Sequence, residues 1–355
     1  MTTTMDAAAG RLDLQLLEDI RVHAGALDRG EQQSRRSFAA LGAAGLLGIG
    51  APGNVDGRLP DMADVIRRIS GECMSTGFSL WAHRMTVEYL LNAATPFSIA
   101  AARPLLAGTV PGVTAMASAF REAAACGGLE LTAAPVDGGY EVSGPIRWAS
   151  NLHADATMVT AARTDAGEKL IVALPLNTPG VVLGDHFDLL ALGSTASSYL
   201  NLRAAYVPAG QVLSRDFDEF LRAVRPTFLI LQSAMCLGLT RTAVEQSRLG
   251  LSGVNSVFAA DVDRLAEKLA AAEATLARLA AAVGGATTPT KKELLTLRLG
   301  AAELSSASAD LEIRTAGGKG YASRTSASRR YREAAFIPVQ SPSEAQLRWE
   351  LAACA

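Results

Sequence analysis

The chain is predicted to be α+β, with helices first, strands in the middle and a helical bundle last. Three observations carry this: an apolar period of three to four up to about Ala94, short alternating runs from about Thr114 to Pro208, and a long 3-4 seam after Asp216. Few aromatics (5%) and abundant Ala and Leu favour helices. From Leu12 to Ala94 the sets Leu12-Leu14-Leu16-Leu17-Ile20, Phe38-Leu41-Ala44-Leu47 and Met62-Val65-Ile66-Ile69 are separated by the breakers Gly30, Gly50-Ala51-Pro52-Gly53 and Pro60. The strand runs are Leu129-Leu131, Tyr140-Val142, Met158-Thr160, Leu170-Val172 and Tyr199-Leu202, with turn residues at Gly127-Gly128, Asp137-Gly138-Gly139 and Asn177-Thr178-Pro179-Gly180. In the last part Val262, Leu265, Leu269, Ala272, Leu276, Leu279 and Val283 step by threes and fours, as in a coiled coil or four-helix bundle. Gly284-Gly285 and Pro289 stop that helix, and Thr290 is placed to cap the next one, whose apolar face is Leu294, Leu297, Ala301 and Leu304. The expected domains are 1–113 helical, 114–215 β and 216–355 helical bundle.

With 355 residues the chain can bury a substantial core, and a net charge of -2 gives no basic face for a polynucleotide. Cys73, Cys126, Cys236 and Cys354 stand singly without CxxC spacing, which argues against a metal site and a disulfide framework and suits a reducing cytoplasm. Met1 to Leu14 lacks a signal pattern and reads as a lead-in to the first helix. The apolar runs Gly42–Pro52 and Thr227–Leu231 are shorter than the roughly 20 residues of a membrane span. No membrane partner is expected.

Four segments carry chemistry. Near the end, Gly317-Gly318-Lys319-Gly320-Tyr321 is followed by Arg332-Glu333-Ala334 and Gln340-Ser341-Pro342-Ser343. In the strand region lies Tyr140-Glu141-Val142-Ser143-Gly144-Pro145-Ile146-Arg147-Trp148-Ala149-Ser150-Asn151. Gly193-Ser194-Thr195-Ala196-Ser197-Ser198 with Val207-Pro208, and Leu41 to Ile49 with Pro52, complete the set. In this order, from about Leu12 to Ala352, they resemble the acyl-CoA dehydrogenase superfamily. Trp148 alone reads more readily as a core ring on a hairpin; joined to the glycine turn about 170 residues later it reads as a flavin wall. The resemblance implies that fold, FAD as cofactor, an acyl thioester or related small molecule as substrate, and a homo-dimer or homo-tetramer, with a hetero-oligomer as an alternative. It implies cofactor-binding roles for Ser118, Trp148, Ala149, Ser150, Arg314, Gly317, Gly318 and Ser343, with the glycine turn serving a neighbouring subunit's FAD. A helical seam costly to leave exposed also points to self-association.

Three departures from the family pattern bear on function. The family's loop that touches flavin and coenzyme A becomes Ser118 to Ala125, keeping one comparable hydroxyl, and its phosphate-binding Arg-x-x-Phe is absent near Gly250-Leu251-Ser252-Gly253, where Arg248 is the nearest substitute. Ser341 stands where the family carries its catalytic Glu, and a serine hydroxyl is no base for an α-proton. The position used by members with the base on an earlier helix holds Phe228. Glu344 is the nearest carboxylate to Ser341 and the candidate displaced base, with a helix-start role as its plainer reading. His153-Ala154-Asp155 is similar to a tripeptide of the superfamily's monooxygenases, and Lys319, Arg324, Arg329, Arg330 and Arg332 form a basic cluster that suits either a phosphate or a solvated loop. The expected function is a FAD-dependent dehydrogenase with a non-standard base. The alternatives are a flavin monooxygenase of the same fold, which needs no such base, and a catalytically silent partner subunit.

Overall fold

A computed structural model describes residues 12–354. The lead-in expected for Met1 to Leu14 falls mostly outside these residues. The chain opens with α1 (Leu14–Asp28), capped by the Asp13 carboxylate accepting from the Gln15 N–H, then α2 (Phe38–Ala43) and α3 (Leu59–Glu72). The glycine-rich segment between the last two runs as successive turns, and Gly45 at φ 69° closes α2 while the Leu46 N–H returns to the Leu41 carbonyl. The central helix α4 (Met74–Ala93) is buried on all sides from Met74 to Leu90, and α5 (Pro96–Leu106) follows through a Thr95/Ser98 capping box. Inside α4, Arg84 and Glu88 are both fully buried and paired at 2.8 Å; Arg84 also donates to the Ile49 carbonyl and Glu88 accepts from the Gly53 N–H, tying the glycine segment to the core.

The strands β1 (Gly112–Ala115), β2 (Thr132–Val136), β3 (Gly139–Ala149), β4 (Thr157–Arg163), β5 (Lys169–Pro175), β6 (Val181–Leu183), β7 (Ser198–Pro208) and β8 (Val212–Ser214) form one sheet in the order β6-β7-β3-β2-β4-β5-β8, with β1 parallel to β4. β7 alternates buried Leu200, Leu202, Ala205 and Val207 with exposed Tyr199, Arg203 and Tyr206. β4 and β5 do not alternate, because both their faces are covered. Met158, Ala162, Leu170 and Val172 enter the core of the β part, while Val159, Ala161, Ile171 and Ala173 enter the helical core.

After the sheet come α7 (Phe217–Leu249), α8 (Ala259–Ala282), α9 (Lys291–Tyr321), α10 (Ser326–Phe336) and α11 (Glu344–Ala352). Thr290 caps α9 in a reciprocal box with Glu293, as the sequence indicates. α7 is the one described helix long and apolar enough to cross a membrane, yet 89% of its apolar window is buried inside the fold, between α3, α4, α8 and α9. One apolar core therefore runs through both the first and the last helical parts.

The structure changes several expectations. The seam of α8 is covered within the chain, with Val262 and Leu279 almost fully buried, so it does not by itself demand a second copy. The expected strand at Leu129-Leu131 begins instead at Thr132, and the sheet begins at Gly112, two residues before the expected boundary. Ser118 to Ala123 lies in a short helix, α6 (Ala117–Ala123), rather than in a loop: its Ala-rich sequence lacks the Gly and Pro that would break a turn of helix.

Candidate active site

A cavity of about 470 Å³ lies where the sheet meets the helices, in the size range of small-molecule sites. Its walls come from β1, the end of β3, α4, α6, α7 and the α10–α11 loop. Six of the sequence-derived candidates meet there: Ser118 on α6, Trp148, Ala149 and Ser150 at the end of β3, and Ser341 and Ser343 on the loop.

Trp148 faces the cavity because β3 is irregular there. The register against β7 shifts between Ile146 and Ala149, so the consecutive Arg147 and Trp148 are both turned out of the core. Trp148 is 48% exposed, packs on Phe187 at 4.6 Å between ring centres, and also borders a smaller cavity of about 190 Å³ beside Arg332. Asn151, two residues past the end of β3, sits at φ 61°, a conformation Asn tolerates, and its buried amide donates to the Ser79 and Gly112 carbonyls. It anchors the wall to α4 and β1. Ser150 Oγ lies 2.7 Å from Ser197 Oγ, which lies 2.8 Å from Thr195 Oγ1, and Thr195 donates to the Leu192 carbonyl at 2.7 Å.

The opposite wall is held from behind by a buried cation. Arg298, fully buried on α9, donates to Gln232 Oε1 at 3.1 Å, to the Ile337 carbonyl at 3.3 Å and to Gln340 Oε1 at 3.4 Å. Gln232 in turn donates to the Ser341 carbonyl at 2.9 Å. All partners are neutral, so one guanidinium organises the loop without a counter-ion. The Ser341 hydroxyl is buried and has no hydrogen-bond partner. Ser343 caps α11 by accepting from the Gln346 N–H.

The inner end of the cavity is walled by rings. Phe78 and Trp81 of α4, Phe228 of α7 and Phe336 of α10 line it, with Trp81 edge-on to Phe228 at 5.0 Å and Phe78 edge-on to Phe336 at 4.9 Å. Arg121, Arg147 and Glu130 also border the cavity. Glu130 is the one carboxylate among the lining residues, and it is paired with Arg147 at 2.6 Å.

The other candidates lie elsewhere. Glu344 is outside the cavity lining, at the start of α11, where it pairs with Arg348 at 2.9 Å. Gly317, at φ 60°, kinks α9, and open space surrounds both Gly317 and Gly318; Arg314 lies over the Phe258 ring. None of these three lines the cavity of their own chain. The basic cluster is largely neutralised internally: Arg330 pairs with Glu312, Arg332 with Asp28, and Arg329 donates to the Glu72 carbonyl. Arg248 pairs with Asp263. Of the His153 tripeptide, Asp155 takes a two-pronged bond from Arg35, and partial burial beside that cation pushes His153 down to about 4. Among the described residues no His, Cys, Asp or Glu cluster suits a metal ion.

Arg298, Gln232, Thr195 and Ser197 were not singled out as site residues from the sequence. The signal for Arg298 was a charge on the apolar face formed with Leu294, Ala301 and Leu304. The hydroxyls of Thr195 and Ser197 lay inside a motif read only as a segment.

The donor set fits a flavin ring: a large, half-exposed indole on one wall, hydroxyls beside it, and a mostly apolar lining. No protein-family profile matches the chain. It is 25% identical to a probable acyl-CoA dehydrogenase, YngJ, of Bacillus subtilis (strain 168), over 93% of this chain and 92% of that protein. It is also 25% identical to benzylmalonyl-CoA dehydrogenase of Aromatoleum aromaticum over 59% of each. Among solved structures, a glutaryl-coenzyme A dehydrogenase in complex with glutaryl-CoA superposes at TM-score 0.85 (17% identity, 99% of this chain, 96% of that one), and KijD3 with FMN and a dTDP-sugar at 0.80 (19% identity, 98% and 96%). The chain has the acyl-CoA dehydrogenase fold and is similar along its length to a flavin-dependent oxidoreductase of that superfamily.

Proposed function

We propose that this chain uses FAD to oxidise an acyl thioester or a related small molecule in the cavity between Trp148 and Ser341. The observation that carries this reading is the convergence of Trp148, Ser150, Ser118 and Ser341 on one cavity, although they come from widely separated parts of the sequence. When bound, flavin supplies a two-electron acceptor. The indole of Trp148 offers a face for a flat ring, and the rings of Phe78, Trp81 and Phe228 exclude water from the inner end. The cofactor-holding role of Gly317, Gly318 and Arg314 is proposed for a neighbouring chain's site, since their surroundings in their own chain are open or exposed.

Proton removal is the step the side chains support least. Ser341 offers no base, Glu344 is turned to Arg348, and Glu130 is held by Arg147. Glu130 is therefore the first carboxylate to test as a displaced base. The same scarcity of free carboxylates supports a second reading, a monooxygenase using reduced flavin and oxygen, because that chemistry removes no α-proton.

Assembly as a homo-dimer or homo-tetramer is also proposed, supported by Leu249, Val254 and Val257, each more than three-quarters exposed near the α7–α8 connection. The free cysteines accord with a cytoplasmic location.

The experiment is a visible spectrum of the purified protein, followed by anaerobic mixing with acyl thioesters. A flavin envelope that bleaches supports the dehydrogenase. An envelope that no thioester bleaches, with oxygen consumed by the chemically reduced protein, supports the second reading. No flavin bound, even after titration with FAD, rejects both.

A further inference from the structure

We infer that Thr195 and Ser197 are positioning residues that turn Ser150 into a hydrogen-bond acceptor toward the cavity, so that the site favours the reduced, N–H-bearing form of its ring over the oxidised form. This rests on the flavin reading above. The argument is a count of protons along three hydroxyls, each of which has one proton to give. The Leu192 carbonyl can only accept, and it lies 2.7 Å from Thr195 Oγ1, so the Thr195 proton is committed there. The contact between Thr195 and Ser197, at 2.8 Å, must then be filled by the Ser197 proton. The contact between Ser197 and Ser150, at 2.7 Å, must be filled by the Ser150 proton.

Ser150 is left with lone pairs alone to offer the cavity it lines. Ser150, Ser197 and Thr195 are all at least 95% buried, so no bulk water competes to reverse the chain. The family resemblance implies that a hydroxyl at the Ser150 position donates to the ring nitrogen that receives hydride. The relay gives it the opposite polarity. An oxidised ring presents a lone pair at that nitrogen and meets another lone pair; the reduced ring, having gained two electrons and a proton, presents an N–H and meets an acceptor.

The test is the midpoint potential of bound FAD, poised with dithionite against a redox dye, with separate measurement of the affinity for oxidised FAD. Ser197→Ala removes the acceptor of the Ser150 proton and frees it to turn toward the cavity. The preference for reduced over oxidised FAD should then fall about 10-fold, in the range of one neutral hydrogen bond. For a two-electron couple that is about 30 mV downward. Thr195→Val, which deprives Ser197 of its acceptor and lets it donate to Ser150, should move the potential the same way, whereas Thr195→Ser keeps the relay and should leave it in place. A purely structural role would weaken both redox forms alike and leave their ratio unchanged. Potentials for Ser197→Ala and Thr195→Val at or above that of the unmodified protein would overturn the inference even though flavin binds. Absence of FAD binding to the unmodified protein would overturn the flavin reading and this inference with it, so the two failures are distinguishable.

Discussion

The side-chain amide of Gln232, on α7, donates to the backbone carbonyl of Ser341 at 2.9 Å, and the oxygen of the same amide accepts from Arg298. The loop that carries Ser341 is thus pinned to the centre of the bundle by two side chains that never touch the cavity's contents. Arg298→Met should leave Gln232 Oε1, Gln340 Oε1 and the Ile337 carbonyl short of a donor. Each unsatisfied buried acceptor costs about 1–3 kcal/mol, and relaxation recovers part of the sum, so we expect a loss of about 2–4 kcal/mol in urea unfolding. Hydrogen exchange should show residues 337–343 loosened first. Unchanged stability and exchange would mean that the loop is held by its own turns.

Trp148→Ala tests the flavin wall. Because the ring is half-exposed and Phe187 keeps its contact with Tyr199, the fold should survive while FAD binds about 10-fold more weakly and with an altered visible spectrum. Equal affinity and an identical spectrum would return Trp148 to a packing role.

Ser341→Glu tests whether a base placed at this position can act in the proposed site. In a site otherwise competent for acyl thioesters, a carboxylate at this position should create or raise dehydrogenase activity, a positioned base contributing on the order of 100- to 10,000-fold. The single change Ser341→Ala should leave any existing activity largely intact. A folded, FAD-loaded Ser341→Glu protein with no such activity would shift the assignment toward oxygenation or a silent partner.

His83 sets a pH dependence of stability. It is fully buried on α4; its Nδ1 accepts from the Gly112 N–H at 3.0 Å, which leaves Nε2 to donate to the Leu105 carbonyl at 3.0 Å. The bond from Gly112 requires the neutral ring, the bond to Leu105 survives protonation, and burial pushes the group down to about 4 from an ordinary 6.5. Between these values the unfolded chain binds a proton that the folded chain refuses. The stabilisation is therefore complete above about 6.5 and is lost as pH falls toward 4, a change of about 3 kcal/mol. His153 titrates in the same window but is partly exposed, so its share is smaller. Stability of His83→Gln followed from pH 7 to pH 4 should show a shallower slope than the unmodified protein. Equal slopes would assign the dependence to other groups.

Local patterns in the sequence determined the helix–strand–helix order, the α8 seam and the Thr290 cap, because spacing and capping act over a few residues. The family resemblance carried by the order of motifs implied that Trp148, Ser150 and Ser341 share a site. Sequence could not decide what covers the α8 seam, since an apolar stripe looks the same whether its partner is α7 of the same chain or a second copy. Nor could it show that Glu344 turns to Arg348, that a strand irregularity swings Trp148 outward, or that Arg298 reaches Gln232 and Gln340 across the bundle. Those depend on contacts between residues tens to hundreds of positions apart. The polarity of Ser150 is the sharpest case: its hydroxyl is visible in the sequence, but which way its proton points is decided by Ser197, 47 residues away, and by a backbone carbonyl beyond it.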